Sequence, residues 1–520
     1  MAGFRAGLAA LVVIVTPSLL AQSAQPAMPR VLTQSGLVEG VSADGVAIFR
    51  GVPFAAPPVG DLRWRAPQPV VPWSGVRKTD AFSPICPQLR SYPEDAPVER
   101  QSEDCLYLNI WKPAAGPASR LPVMVWIHGG GLQSGSASIP LYAGDQLARH
   151  GVIVVTANYR LGVFGFLAHP DLTRESEHDA SGNYGLQDQL AALAWVKQNI
   201  GAFGGDPERV TVFGQSSGAI SVSALIASPL AKGLFQRAIG QSGGLFEPMQ
   251  MLPIFALPGA ERGGVEFVSR AGVTSIRALR ALPVERLLDL SFTTTPIVDG
   301  HVLMRPPYDT FVDGQQNDVP VILGSNRDEG EYFLRGRTIT RANLRQEIAR
   351  SFPPVILNAM GVREATDDAD AHVAAAVFNR DIRFRWDMWT WARLNARRGT
   401  RVYAYEFARQ PPAGSIYAGL GATHGTEMPY VFGRLAPTSL PWTDADRRLA
   451  DAIATYWTNF AKNGNPNGPG VPSWPAFDES NTQGLLLTGE IRVGQPFDAR
   501  AMAQIDAAYA SVRASVANSR

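Results

Sequence analysis

One stretch constrains the fold of this chain more than any other. Val210-Thr211-Val212-Phe213 is a β-branched run that passes directly into Gly214-Gln215-Ser216-Ser217-Gly218, and small residues follow from Ala219. A strand that feeds a helix through so short a turn has no room for side chains at its two glycines, and it lifts the serine between them out of the sheet. The reading is strand, sharp turn, helix. The Ser216 hydroxyl is then exposed, with a helix N-terminus behind it that supplies free N–H groups and positive potential. Gly-x-Ser-x-Gly alone is common; the strand before it and the helix after it make Ser216 a candidate nucleophile.

Other runs set the architecture around that turn. Val123-Met124-Val125-Trp126-Ile127, Val152-Ile153-Val154-Val155-Thr156 and Val319-Pro320-Val321-Ile322-Leu323 are continuous apolar runs, and Val402-Tyr403-Ala404-Tyr405-Glu406-Phe407 alternates, so all four read as strands. Pro320 has to sit at the start of its strand, because it lacks a ladder donor. Leu186, Leu190, Leu193 and Val196 recur at helical spacing within residues 183–199, and residues 262–290 and 341–398 read as largely helical insertions. The expected fold is α/β, with a large, mostly parallel central sheet, helices on both faces, and insertions over its carboxyl edge. A length of 520 residues suggests about three domains, yet no Gly/Ser- or Pro-rich linker interrupts the strands. A single domain over residues 29–517 is therefore expected.

Composition removes several classes of function. With 47 Lys+Arg against 46 Asp+Glu and no basic cluster, the chain lacks the charge excess that a nucleic-acid partner demands. No apolar run reaches the roughly 18 residues of a membrane span. Arg5, the apolar stretch from Leu8 to Leu20, and Ala21-Gln22-Ser23 have the order of a secretory signal peptide, read as residues 1–23, which predicts an exported protein. In an exported chain the only two cysteines, Cys86 and Cys105, are most simply one disulfide, and neither has the neighbours that a zinc site needs.

The second chemical segment is Trp126-Ile127-His128-Gly129-Gly130-Gly131, which follows a strand upstream of the serine. Glycines there let backbone N–H groups face a developing oxyanion. Gly130 and Gly131 are the expected donors, with the N–H of Ser217 as a third. A rival reading takes Gly129, Gly131 and Gly135 as a dinucleotide cradle; Pro140 and the poor helix pattern after it disfavour that. A serine nucleophile needs a base and an acid, in the chain order Ser, acid, His. Of the histidines after Ser216, His301 precedes the acid candidates and His372 lies in an Asp/Ala-rich helical stretch. His424 sits in a glycine-flanked loop after a strand and is the expected base. Asp328 and Glu329, adjacent after the Val319–Leu323 run, are equal candidates for the acid on spacing alone.

With these residues in view, the chain resembles the type-B carboxylesterases, the α/β-hydrolase family of cholinesterases, bacterial carboxylesterases and neuroligins. The resemblance is carried by Phe49-Arg50-Gly51-Val52-Pro53-Phe54-Ala55, Glu103-Asp104-Cys105-Leu106-Tyr107-Leu108-Asn109, Asn158-Tyr159-Arg160-Leu161-Gly162 and Gly182-Asn183-Tyr184-Gly185-Leu186-Gln187-Asp188. It continues through Phe203-Gly204-Gly205-Asp206-Pro207, Gln241-Ser242-Gly243, Asp328-Glu329-Gly330, His424-Gly425-Thr426-Glu427 and Trp457-Thr458-Asn459-Phe460-Ala461. It implies the α/β-hydrolase fold, a Ser216–His424–Glu329 triad acting on small-molecule esters without metal or organic cofactor, and the family's first disulfide loop at Cys86–Cys105. It also implies a Glu103–Arg63 ion pair, a supporting hydroxyl at Ser242, and an apolar pocket lined by Met249, Phe292, Tyr332 and Phe333. Non-catalytic adhesion members of the fold are the alternative; they typically lose a triad residue, and all three are present here.

Three departures stand out. Gln215 replaces the usual glutamate before the nucleophile, which removes a negative charge near the base and disfavours cationic substrates. Ser217 replaces the usual alanine. Leu132 stands where an aromatic is common, which implies a wider pocket, and the segment between Cys86 and Cys105 has no tryptophan to stack on choline.

Overall fold

The computed structural model describes residues 2–3, 28–89, 100–114, 120–247, 252–435 and 439–518. The signal peptide expected over 1–23 (residues 2–3 apart) and the pocket candidate Met249 lie outside the described residues.

In chain order the strands are β1 (Arg30–Thr33), β2 (Gly36–Glu39), β3 (Val41–Ala43), β4 (Val46–Pro53), β5 (Val76–Lys78), β6 (Tyr107–Pro113) and β7 (Leu121–Ile127). They continue as β8 (Ile153–Ala157), β9 (Gly205–Gln215), β10 (Arg237–Gln241), β11 (Val321–Asn326), β12 (Val402–Phe407), β13 (Gly484–Leu487) and β14 (Ile491–Gly494). Strands β1, β2 and β5 form a small sheet, and the others form one sheet of order β14-β13-β12-β11-β10-β9-β7-β8-β6-β4-β3. From β8 to β13 every neighbouring pair is parallel. Within this sheet antiparallel pairing is confined to β6, β4 and β3 at one edge and β14 at the other. Strand β11 opens one residue after Pro320, whose carbonyl accepts the Ala238 N–H at 3.1 Å.

The parallel strands are buried on both faces, which is why they read as unbroken apolar runs. In β7, Val123, Val125 and Ile127 enter one core cluster, with Leu186, Leu193 and Val196 of the helix Tyr184–Asn199. Met124 and Trp126 enter the cluster on the other face, with Ile453, Trp457 and Phe460 of the helix Asp444–Asn463. Each fully buried Leu or Val contributes about 1.5–3 kcal/mol, so strands and helices hold one another in register. Cys86 and Cys105 are disulfide-bonded, and the Arg63 guanidinium holds Glu103 through two hydrogen bonds.

This topology also creates the place for a site. The chain lays β8 on one side of β7 and β9 on the other, so sheet growth reverses at β7. Loops leaving the carboxyl ends of strands diverge at such a reversal and open a crevice.

Candidate active site

Ser216 stands in that crevice. Strand β9 ends at Gln215, the helix Ser217–Ala227 begins immediately, and Ser216 between them adopts φ 58° and ψ −127°. A serine held in so sparsely populated a region carries about 1–3 kcal/mol of strain, which the surroundings must impose. They do so by close approach. A Cβ on Gly214 would lie 2.5 Å from the carbonyl carbon of Gly218, and one on Gly218 would lie 2.1 Å from the Ile127 carbonyl oxygen. The Ser216 N–H donates to the Gln241 carbonyl at 2.9 Å, which ties the turn to β10. Its neighbours Gln215 and Ser217 are buried while Ser216 stays partly open.

The glycine loop after β7 lies against this turn. A Cβ on Gly129 would come within 2.7 Å of the Gln215 carbonyl oxygen and 3.2 Å of the Ser216 Cβ. Gly130 has φ 109° and Gly131 φ 66°, a region that costs a side chain strain. The Gly130 carbonyl accepts the N–H groups of Gln133 and Ser134, closing the loop on itself. Among the described residues the N–H groups of Gly130, Gly131 and Ser217 have no hydrogen-bond acceptor. His128 beneath them is structural: stacked on Tyr159 at 4.4 Å, its pKa is pushed down to about 4 by burial, so it stays neutral.

The geometry separates the two acid candidates. Glu329, fully buried, accepts the Asn326 N–H at 2.8 Å and lies 2.6 Å from Nδ1 of His424. The Asp328 carboxylate instead accepts the Ala422 N–H at 2.8 Å, which anchors the loop that carries the histidine. With Nδ1–H donating to Glu329, Nε2 of His424 keeps its lone pair, towards which the Gln215 side-chain amide donates at 3.3 Å. Gln215 thus meets the edge of the imidazole opposite Glu329.

The other pocket candidates divide. The rings of Tyr332 and Phe333 each lie 5.7 Å from the imidazole, centroid to centroid. Phe292 packs edge-on against Phe267 at 5.6 Å and, among the described residues, makes no ring contact with His424. Leu132 packs into the core at 3% exposure, with a φ of 59°. The Ser242 hydroxyl is buried with no hydrogen-bond partner among the described residues, so it does not brace Glu329.

Sequence comparison places this arrangement. Residues 27–504 match the model of the carboxylesterase family. The chain is 40% identical to the fumonisin B1 esterase of Sphingopyxis macrogoltabida, over 91% of this chain and 88% of that protein. It is 36% identical to the para-nitrobenzyl esterase of Bacillus subtilis strain 168, over 89% and 95% respectively. Carboxylesterase 1C of Rattus norvegicus is also 36% identical, over 89% of this chain and 90% of its own. The chain belongs to the carboxylesterase family. It is a carboxylic-ester hydrolase of type B on the α/β-hydrolase fold.

Three features of this carboxylesterase escaped the sequence. The ring of Phe384 stacks on the His424 imidazole at 4.5 Å and 15°, closer than Tyr332 or Phe333. It comes from a π-helical turn, Asp381–Arg385, inside a segment that reads only as helix. The Ser217 hydroxyl accepts the Leu132 N–H at 3.1 Å, so this residue pins the glycine loop to the elbow with its side chain as well. Glu427 is buried among Asn326, which donates to it at 2.6 Å, and Gln241, at 3.3 Å. Burial, and then the charge of Glu329, raise its pKa to about 7. Its motif was visible in the sequence, but nothing there signalled a second carboxyl group behind the first.

Proposed function

We propose that this carboxylesterase hydrolyses esters through an acyl-enzyme on Ser216. His424 Nε2 takes the Ser216 proton as Oγ attacks the ester carbonyl, while Glu329 holds the proton on Nδ1 and stabilises the imidazolium. The oxyanion is received by the N–H groups of Gly130, Gly131 and Ser217. The alcohol leaves with the proton from His424, and water, deprotonated by the same imidazole, then releases the acid. What carries this reading is the 2.6 Å contact between His424 and Glu329, in the same crevice as a serine held at φ 58°. The named activities of the relatives, on fumonisin B1 and on para-nitrobenzyl esters, support small-molecule esters as the substrate class. The disulfide suits an oxidising compartment, and no described helix is long and apolar enough to cross a membrane; the catalytic unit, residues 29–517, is proposed to act after export and removal of 1–23.

Ser216→Ala tests the mechanism. Hydrolysis of p-nitrophenyl esters should fall by about 10⁴-fold or more, with an unchanged circular dichroism spectrum. Activity retained within tenfold would refute it.

A further inference from the structure

One ring away from the catalytic histidine lies a guanidinium without a carboxylate. Arg383 precedes Phe384 in the π-helical turn, and its Cζ sits 4.5 Å from the centroid of Phe333, the ring whose centroid lies 5.7 Å from that of the imidazole. A second ring, Phe352, covers the guanidinium at 4.6 Å. The Nε–H donates to Asn379 at 3.1 Å. Two aromatic faces and that one hydrogen bond fix the plane and rotation of the fork. They leave its two terminal nitrogens, among the described residues, with no hydrogen-bond acceptor and no ion pair.

The neighbouring arginines show how unusual this is. In the same turn Arg385 holds Glu406, and Arg380, just before it, holds Asp381; nearby, Arg337 holds Glu347 and Arg393 holds Asp506. Burying a cation without a counter-charge is costly, so protein interiors pair them almost without exception. Arg383 lies deep enough that burial lowers its pKa, yet part of its surface stays open. The acid closest in charge interaction is Glu247, which does not approach to ion-pair distance and whose own pKa burial raises to about 7. Its negative charge is therefore partly quenched at neutral pH. Arg337, the other cation that Arg383 feels, is already engaged. The neutral Gln215 beside the imidazole removes a negative charge that would repel an anion.

We propose that Arg383 is a specificity residue of the esterase site, where its open fork receives a free carboxylate on the substrate, so that the enzyme prefers esters that carry a second, unesterified carboxyl group. This rests on the esterase reading given above. With its Nε–H held by Asn379 and two rings against it, the guanidinium keeps both terminal nitrogens available, and such a fork binds a carboxylate in bidentate fashion. The oxyanion is assigned to the glycine-loop amides, so Arg383 reads the remainder of the substrate.

The test compares isosteres. The 4-methylumbelliferyl hemiester of adipic acid carries the carboxylate on the acyl side, and its monoamide analogue is neutral. The butyrate esters of 4-hydroxybenzoate and 4-hydroxybenzamide form the same pair on the alcohol side. In the wild-type enzyme kcat/KM for the charged member of at least one pair should exceed that of the neutral one by about 30-fold. Arg383→Met should abolish that preference and change the neutral rates less than about threefold, and Arg383→Lys should restore part of it. Wild-type preference for the neutral member in both pairs overturns the proposal, and so does an equal loss on charged and neutral esters in Arg383→Met. Hydrolysis of neutral esters that depends on Ser216 but shows no charge preference would defeat this inference alone; ester hydrolysis indifferent to Ser216→Ala would defeat the mechanism beneath it.

Discussion

Ser216 and the glycine loop are positioned by backbone, whereas His424 is positioned by side chains. On the serine side, strands β7 and β9, the loop after β7 and the helix Ser217–Ala227 meet at three close approaches: Gly214 on Gly218, Gly218 on Ile127, and Gly129 on Gln215. Each would be blocked by a single methyl group. On the histidine side the imidazole contacts the Glu329 carboxylate and the rings of Tyr332 and Phe333, from the helix Glu329–Leu334, and of Phe384, from the π-helical turn. Close backbone approach tolerates only glycine, while a cage of rings can be assembled from many residues. The Ser216 half of the site is thus set by backbone contacts, and the His424 half by side-chain contacts.

The largest expected effect sharpens this contrast at the acid. Glu329→Gln should lower kcat by about 10³–10⁴-fold with KM little changed, because the amide can no longer stabilise the imidazolium or enforce its tautomer. Asp328→Asn, which only loosens the Ala422 anchor, should cost less than about tenfold. Steady-state kinetics on the pair decides between them, and the reverse order would break the assignment. On the backbone side, Gly130→Ala puts a Cβ 2.1 Å from the Ser134 carbonyl oxygen at φ 109°. Displacing one oxyanion donor should cost about 10²–10³-fold in kcat, measured on a variant shown to melt cooperatively. Phe384→Ala removes one wall of the cage, and since an aromatic contact is worth about 0.5–1.5 kcal/mol, kcat should fall only about tenfold. If Phe384→Ala cost more than Gly130→Ala, the contrast between rigid and adaptable halves would fail.

The smallest effect concerns pH. Glu427 has its pKa raised to about 7 in the folded protein, so folding favours its protonated form. That contribution is complete below the unfolded value of about 4.3 and is lost as pH rises through 7. Glu427→Gln should therefore gain thermal stability relative to wild type between pH 5 and pH 7, by about 1–3 °C per unit, and level off above that. A difference independent of pH would show that Glu427 is not protonated in the fold.

What could be read in the chain follows the same division. The elbow, the glycine loop and strands β7, β8, β9 and β12 were legible because burial on two faces and tight turns leave compositional marks. Strand β10, only Arg237–Gln241 with a glycine in it, left too little apolar run to see, although it supplies the carbonyl that anchors Ser216. Glu329 and Asp328 were inseparable by spacing, because which carboxylate meets the imidazole depends on how a loop far away in sequence folds back. Phe384 and Arg383 were hidden for a further reason: a π-helical turn shifts side chains off the regular helical faces, so periodicity misplaces them.

The most direct measurement is to treat the purified protein with a fluorophosphonate and locate the adduct by peptide mass spectrometry. A single adduct on Ser216, formed in step with loss of esterase activity and greatly slowed in His424→Ala, is the predicted result. Activity that survives complete treatment, or an adduct on another serine formed in step with the loss, would contradict the account.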